Sequence, residues 1–189
     1  LYGDVMQVRP EDPAWEGRDW LVLSKGHCAP ALYATLALKG FFPMDWLKTL
    51  NKGGTRLPSH ADRLRVPGID MSTGSLGQGI SNAAGICWAN RLLGRDVWTY
   101  CIVGDGECEE GQVWEACIAA ATQKLDHFIV FVDWNKKQID AATDVMLSHV
   151  NFEERFRAFG FSAETVPGYD TEAIWHAVQR AKACPGRPH

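Results

Sequence analysis

Two short segments place oxygen-bearing side chains where a parallel sheet would present them. Val103-Gly-Asp-Gly106 offers one carboxylate, Asp105, between glycines that let the backbone approach a ligand closely. The residues after it read as a helix, whose N-terminal amides can face an anion. Val132-Asp-Trp-Asn135 closes the next apolar run and offers an amide, Asn135. The 28 residues between Gly106 and Asn135 suffice for one helix and one return strand. A right-handed crossover would bring Asp105 and Asn135 to the same edge of the sheet. One carboxylate and one amide oxygen are too few to hold a divalent ion alone. They suit Mg²⁺, which prefers octahedral oxygen ligation and takes the rest from water and a bound diphosphate. Gly-Asp-Gly by itself is a common turn, and it gains weight only from the second segment at this spacing.

Other chemistry-bearing residues have a structural reading beside the functional one. His27, in Gly26-His-Cys-Ala-Pro30, suits a hydrogen-bonding group at a helix start, and His60 lies in a long irregular stretch. Glu110 is an acidic residue favourable at a helix N-terminus. Trp114 and the run 119–121 read as core packing, and His127, His149 and His176 form no constellation.

The elements that must position these groups follow from periodicity and punctuation. A helix is predicted from about Pro30 through Leu38, ending at Gly40, and a second, short one over 43–50. Residues 55–73 read as a loop, long enough to invite a functional role. Small and apolar residues recur at helical spacing from Gln78 to Leu93. A strand is expected over 97–103, a helix over 110–123, an all-apolar strand over 128–133 and a helix over 152–159 stopped by Gly160. A strand over 161–166 and a helix over 171–183 complete the pattern. Strands alternating with helices give an α/β fold with a parallel sheet covered by helices on both faces.

Composition bounds the alternatives. The chain has 189 residues, 19 Lys and Arg against 23 Asp and Glu, and a net charge of −4. That balance argues against a nucleic-acid partner. No run approaches the ~18–20 apolar residues of a membrane span. With 46% hydrophobic and 22% charged residues the chain is expected to form one globular domain. Six cysteines lack metal-binding or redox spacing and read as free thiols of a reducing compartment, with cytoplasm as the default. Leu1 at the start and Pro188-His189 at the close of a turn-like sequence give both ends the look of a cut.

At this point Gly104-Asp-Gly-Glu-Cys-Glu-Glu-Gly-Gln-Val-Trp-Glu-Ala116, followed by Asp133-Trp-Asn135, resembles the thiamine diphosphate signature in its transketolase version. Further blocks resemble that family in the same order: Leu23-Ser-Lys-Gly-His27, Pro58-Ser-His60, Pro67-Gly-Ile-Asp70, Ser72-Thr-Gly-Ser-Leu-Gly-Gln-Gly79, Lys136-Lys-Gln-Ile-Asp140 and Phe156-Arg-Ala-Phe-Gly160. The likeness spans essentially the whole chain and is greatest to split transketolases, in which a separate subunit supplies the pyrimidine domain.

The resemblance implies thiamine-diphosphate-dependent transfer of a two-carbon unit from a ketose phosphate to an aldose phosphate. It implies Mg²⁺, with Ca²⁺ or Mn²⁺ as substitutes, held by Asp105, Asn135 and the carbonyl of Lys137. Gly104 and Gly106 would lie against the diphosphate. His27 would lie near the diphosphate and reacting carbon, and His60 would meet the donor's hydroxyls. Gly74, Ser75 and Leu76 would contact the aminopyrimidine, and Ile139 the cofactor rings. Glu110 would hydrogen-bond across a subunit interface that couples paired sites, with Glu115 assigned to the same interface. The partner implied is a C-terminal transketolase subunit carrying the pyrimidine domain, in a dimer of such pairs. The family's further Ser-Gly-His-Pro histidine, its activating glutamate and its phosphate-binding arginines match nothing in this chain, so turnover alone is not expected. A dinucleotide-binding reading fails because Gly74, Gly77 and Gly79 run as Gly-x-x-Gly-x-Gly, the reverse of the Rossmann fingerprint. A non-catalytic interaction subunit would not need Asp105, Asn135, His27 and His60 together. Deoxyxylulose phosphate synthase and the dehydrogenase α-subunits share Gly-Asp-Gly but are not expected to carry Glu110-Gly-Gln-Val-Trp-Glu115 with Ser24-Lys-Gly-His27.

Overall fold

A computed structural model of the chain describes residues 1–138, 141–142 and 151–189. Three parallel strands, β1 (Trp20–Leu23), β2 (Thr99–Gly104) and β3 (Phe128–Asp133), form a sheet in that spatial order. Val22, Cys101 and Val130 lie in register across it, as do Leu23, Ile102 and Phe131. Helices α1 (Ala29–Lys39), α2 (Gln78–Leu92), α3 (Gly111–Thr122), α4 (Phe152–Ala158) and α5 (Thr171–Lys182) accompany it.

Successive strand residues point to opposite faces, and each face has its own core. Leu21, Leu23, Tyr100 and Ile129 pack with Leu32, Tyr33 and Leu36 of α1, Val178 of α5, and Leu57 and Val66 of the long loop. Val22, Cys101, Val103 and Phe128 pack with Ile80 and Ala83 of α2, Val113 and Cys117 of α3, and Phe152 and Phe156 of α4. The sheet is therefore covered on both faces, as the alternation of elements predicts.

Local chemistry sets the element ends. Pro30 occupies the first turn of α1, and Gly40, at φ +97°, closes it by donating its N–H to the carbonyls of Leu36 and Ala37. Asn151 and Asp170 cap α4 and α5 by accepting from the amides of Glu154 and Ala173. The long loop is stitched down at several points. The Tyr33 hydroxyl donates to the carbonyls of Pro58 and His60, Thr73 Oγ1 donates to the Leu23 carbonyl, and Asp70 accepts from Leu21 N–H at 2.7 Å.

Three expectations change. The short element near residue 45 is a 3-10 helix, Met44–Thr49. β1 is a strand that the periodicity did not mark. Residues 161–166 do not form a strand. Phe161 is buried against Phe128 and Phe156, but the outer edge of β3 is taken by His189, which donates to Phe128 O and accepts from Val130 N–H. Ser162 N–H donates to Pro188 O, so this segment lies beyond residues 188–189 and not against β3.

Candidate functional site

The carboxyl ends of all three strands open onto one edge, where an α/β sheet binds its ligands. β1 runs into Ser24, Lys25 and a 3-10 turn over Gly26–Cys28 that carries His27. β2 runs into Asp105 and Gly106, and β3 into Trp134 and Asn135. The turn of residues 74–77, leading into α2, closes the group from the side.

Asp105 is buried, and both carboxylate oxygens are engaged. Oδ1 accepts from Gly106 N–H at 3.0 Å and Oδ2 from Lys136 N–H at 2.7 Å. Asn135 Oδ1 accepts from Lys137 N–H at 2.9 Å. Asp105 N–H donates to the Asp133 carbonyl, extending the β2–β3 pairing past the strand end. The two oxygen-bearing groups singled out in the sequence thus share one turn, bridged by a single peptide. Lys137 lies in the same turn and forms an isolated bridge with Ala142. Ile139, expected against the cofactor rings, lies outside the described residues.

The donor set fits a hard cation. Its side chains are a carboxylate and an amide oxygen, each oriented by a backbone amide. Among the described residues no three His, Cys, Asp or Glu side chains converge on a metal position. A small hard cation commonly takes further oxygen ligands from water or an anionic group such as a diphosphate.

Close glycine contacts bring the other loops in. A Cβ on Gly26 would lie 2.8 Å from the Gly74 amide nitrogen and 2.9 Å from the His60 ring. His60, exposed, therefore lies over the Gly26–Gly74 contact, and His27 is exposed one residue on. Gly77 has φ +78°, a left-handed conformation that permits the sharp entry into α2. Ser75 and Leu76 are exposed at this turn. Glu110, at the start of α3, is also exposed, with its Cβ 3.1 Å from where a Gly77 Cβ would be. Glu115, farther along α3, is exposed and makes no part of this turn.

Several residues here had no role in the sequence reading. Lys25, buried, donates from Nζ to Asp133 Oδ2 at 2.5 Å. Burial works to lower the pKa of Lys25, but the hydrogen bond to Asp133, together with Cys28 and the charge of Asp133, outweighs it and the net shift is upward. Glu107 is buried as well. Its Oε1 accepts from the Ser24 hydroxyl and Gly77 N–H, and its Oε2 from Gly104 N–H. Gln78 and Gln112 exchange amide hydrogen bonds between the first turns of α2 and α3. Lys25 had a legible signal, a lysine between an apolar run and a glycine turn. Glu107 did not, because Glu107, Glu109 and Glu110 together look like a solvated acidic helix start.

Comparison with known proteins shows the family. Residues 1–189 match the family described as transketolase, thiamine diphosphate binding domain. The 6-deoxy-6-sulfo-D-fructose transketolase subunit SqwG of a Clostridium species is 50% identical over 188 residues, covering 100% of this chain and 68% of that protein. An apulose-4-phosphate transketolase subunit of Phocaeicola vulgatus is 37% identical, with 100% and 67% covered. The structure of transketolase from Leishmania mexicana superposes with a TM-score of 0.95 at 34% identity, covering 100% of this chain and 30% of that one. The chain thus spans about two thirds of the subunit-type relatives and under a third of the long transketolase.

Proposed function

The chain belongs to the transketolase family as its thiamine diphosphate binding domain, and from that premise we propose that it is the N-terminal subunit of a split transketolase. In this reading residues 1–189 form one domain that holds the diphosphate end of thiamine diphosphate through Mg²⁺. A partner subunit brings the pyrimidine-binding and C-terminal domains, and two such pairs make the working dimer. The observation that carries the reading is the shared turn of Asp105 and Asn135 beside the glycine contact of Gly26 and Gly74.

Asp105, Asn135 and the Lys137 carbonyl would hold the ion. Mg²⁺ is the expected occupant, and Ca²⁺ or Mn²⁺ satisfy the same oxygen set. Gly104 and Gly106 would let the diphosphate approach the backbone, and a bound cation would offset the diphosphate charge without a basic surface in a chain of net charge −4. Bound thiamine diphosphate supplies the nucleophilic carbon that breaks and remakes the carbon–carbon bond of a ketose.

The chain's own groups would position the cofactor and the substrate. His27 would hydrogen-bond near the diphosphate and reacting carbon. His60 would meet the hydroxyls of the donor sugar, from a ring already braced on Gly26 and Gly74. Gly74, Ser75 and Leu76 would contact the aminopyrimidine, and Ile139 the rings. Glu110, exposed beside Gly77, would hydrogen-bond across the subunit interface, and Glu115, five residues on along α3, would serve the same interface. The substrates would be sugars with an anionic end. The names of the relatives include a sulfo-sugar and a sugar phosphate.

The test is calorimetric titration of thiamine diphosphate into the complete subunit with its partner, with and without Mg²⁺. Binding should need the metal, and Asp105→Ala should lose more than the roughly tenfold to hundredfold typical of a partner outside the coordination sphere. Equal affinity in Asp105→Ala would remove the metal assignment.

A further inference from the structure

We propose that Glu107 is a positioning residue that locks the three loops of the cofactor cradle to one another. The proposal rests on the function proposed above for what the cradle holds, but its geometry stands independently. One carboxylate accepts from three donors on three separate segments: the Ser24 hydroxyl just past β1, Gly77 N–H at 2.9 Å in the turn before α2, and Gly104 N–H at 3.1 Å at the end of β2. The segments are 53 and 27 residues apart in sequence, 24 to 77 and 77 to 104. Each adjoins a group assigned to the site: Ser24 precedes Lys25 and His27, Gly77 closes the turn 74–76, and Gly104 precedes Asp105.

Glu107 is 3% exposed, so these three hydrogen bonds are made out of water. Charge-assisted bonds to a carboxylate are roughly twice as strong as neutral ones. Donors left unpaired in such a place cost the full desolvation of each group. A hydrophobic replacement could fill the volume of Glu107 but could not satisfy two backbone amides belonging to different elements. The close approach of α2 to Ser24 leaves little slack. A Cβ on Gly79 would lie 2.6 Å from Ser24 Cα, so any spreading of Ser24 and Gly77 displaces the helix start itself. The side chain therefore sets the spacing between the His27 turn, the Gly74–Gly77 turn and the Asp105 turn. It lies beneath the site and acts through them.

The experiment compares Glu107→Ala and Glu107→Gln with wild type and with Asp70→Asn, a buried carboxylate at the opposite end of β1, in the subunit with its partner. Two readings are taken below the unfolding temperature of every variant: amide hydrogen exchange at Gly77 and Gly104, and the Kd of thiamine diphosphate with Mg²⁺. Glu107→Ala should speed exchange at both amides and weaken cofactor binding about tenfold to hundredfold, the scale of losing a charged acceptor for buried donors. Glutamine keeps one carbonyl oxygen, so Glu107→Gln should protect one of the two amides and recover part of the affinity. Asp70→Asn should leave both amides and the Kd unchanged even where it lowers Tm as much. Unchanged exchange at Gly77 and Gly104 in Glu107→Ala would overturn the proposal, as would a loss of affinity in Asp70→Asn that matches its loss of Tm. Failure of wild type itself to bind thiamine diphosphate would count against the proposed function, while the exchange readings would still decide the role of Glu107.

Discussion

Gly26 and Gly74 meet backbone to backbone, with room for no side chain between them. A methyl group on Gly26 would lie 2.8 Å from the Gly74 nitrogen, 2.9 Å from its Cα and 2.9 Å from His60 Cδ2. Two of these three atoms are backbone and cannot swing aside. Gly26→Ala should therefore push the β1 exit away from the turn of residues 74–77, at a cost of about 1–3 kcal/mol in stability. It should also weaken cofactor binding beyond what that stability loss explains. Urea unfolding and a cofactor titration on the same preparation check both, and a fully functional Gly26→Ala would show that this contact does not shape the site.

Asp70 ties the start of β1 to the long loop, accepting from Leu21 N–H and pairing with Arg18 at 2.7 Å. Burial pushes its carboxyl up to about 6, against the opposing pull of Arg18. The folded state then binds a proton more tightly than the unfolded chain, whose Asp titrates near 3.9. Stability from this group is complete below about pH 4 and is lost as pH rises through about 6, a fall on the order of 2–3 kcal/mol. Relative to Asp70→Asn, which has no such titration, wild type should lose stability between about pH 4.5 and 6.5. Denaturation curves for the two proteins that run parallel across this range would contradict the assignment.

What could be read in the sequence was the pattern that repeats, and what could not was the pairing of distant segments. β3 and α2 were legible because an unbroken apolar run and a 3.6-residue period each fix a local structure. β1 was not marked, although Trp20-Leu-Val-Leu23 is an apolar run, because four residues give no periodicity and the strand is held by Ser24 and Asp19 contacts to remote chain. Residues 161–166 stay outside the sheet because His189 takes the hydrogen-bonding positions beside β3. Asp105 and Asn135 were readable as a pair, since their spacing implies a crossover. Glu107 was not, because burial of its carboxylate depends on donors such as Ser24 and Gly77, tens of residues away.

Tyr33 offers a way to disturb the His60 loop from beneath. Its ring is buried against the sheet and its hydroxyl donates to both Pro58 O and His60 O. Tyr33→Phe keeps the ring and removes the donor, which should cost about 0.5–1.5 kcal/mol. His60 should then lose its fixed position while Asp105 and Asn135 keep theirs. Steady-state kinetics of the assembled enzyme should show a raised donor KM with the cofactor Kd within about twofold of wild type. Weakened cofactor binding with unchanged KM would place the loop's influence at the metal end instead.

All six cysteines are free thiols, but they differ sharply in accessibility. Cys184 is exposed and Cys28 half-buried, whereas Cys87, Cys101, Cys108 and Cys117 are buried among the strands and helices of one core. Burial pushes the Cys87 and Cys117 thiols up to about 12 and raises those of Cys101 and Cys108 as well. At about pH 8 that reduces the reactive thiolate by roughly three orders of magnitude relative to an ordinary cysteine, in addition to the steric barrier. A thiol reagent applied to the folded subunit should label Cys184 quickly and Cys28 more slowly, and reach the other four only through unfolding. In denaturant all six should react at one rate. Reaction of a third thiol at the rate of Cys28 in the folded protein would mean that the face holding α2 and α3 opens locally, at a free energy well below that of global unfolding.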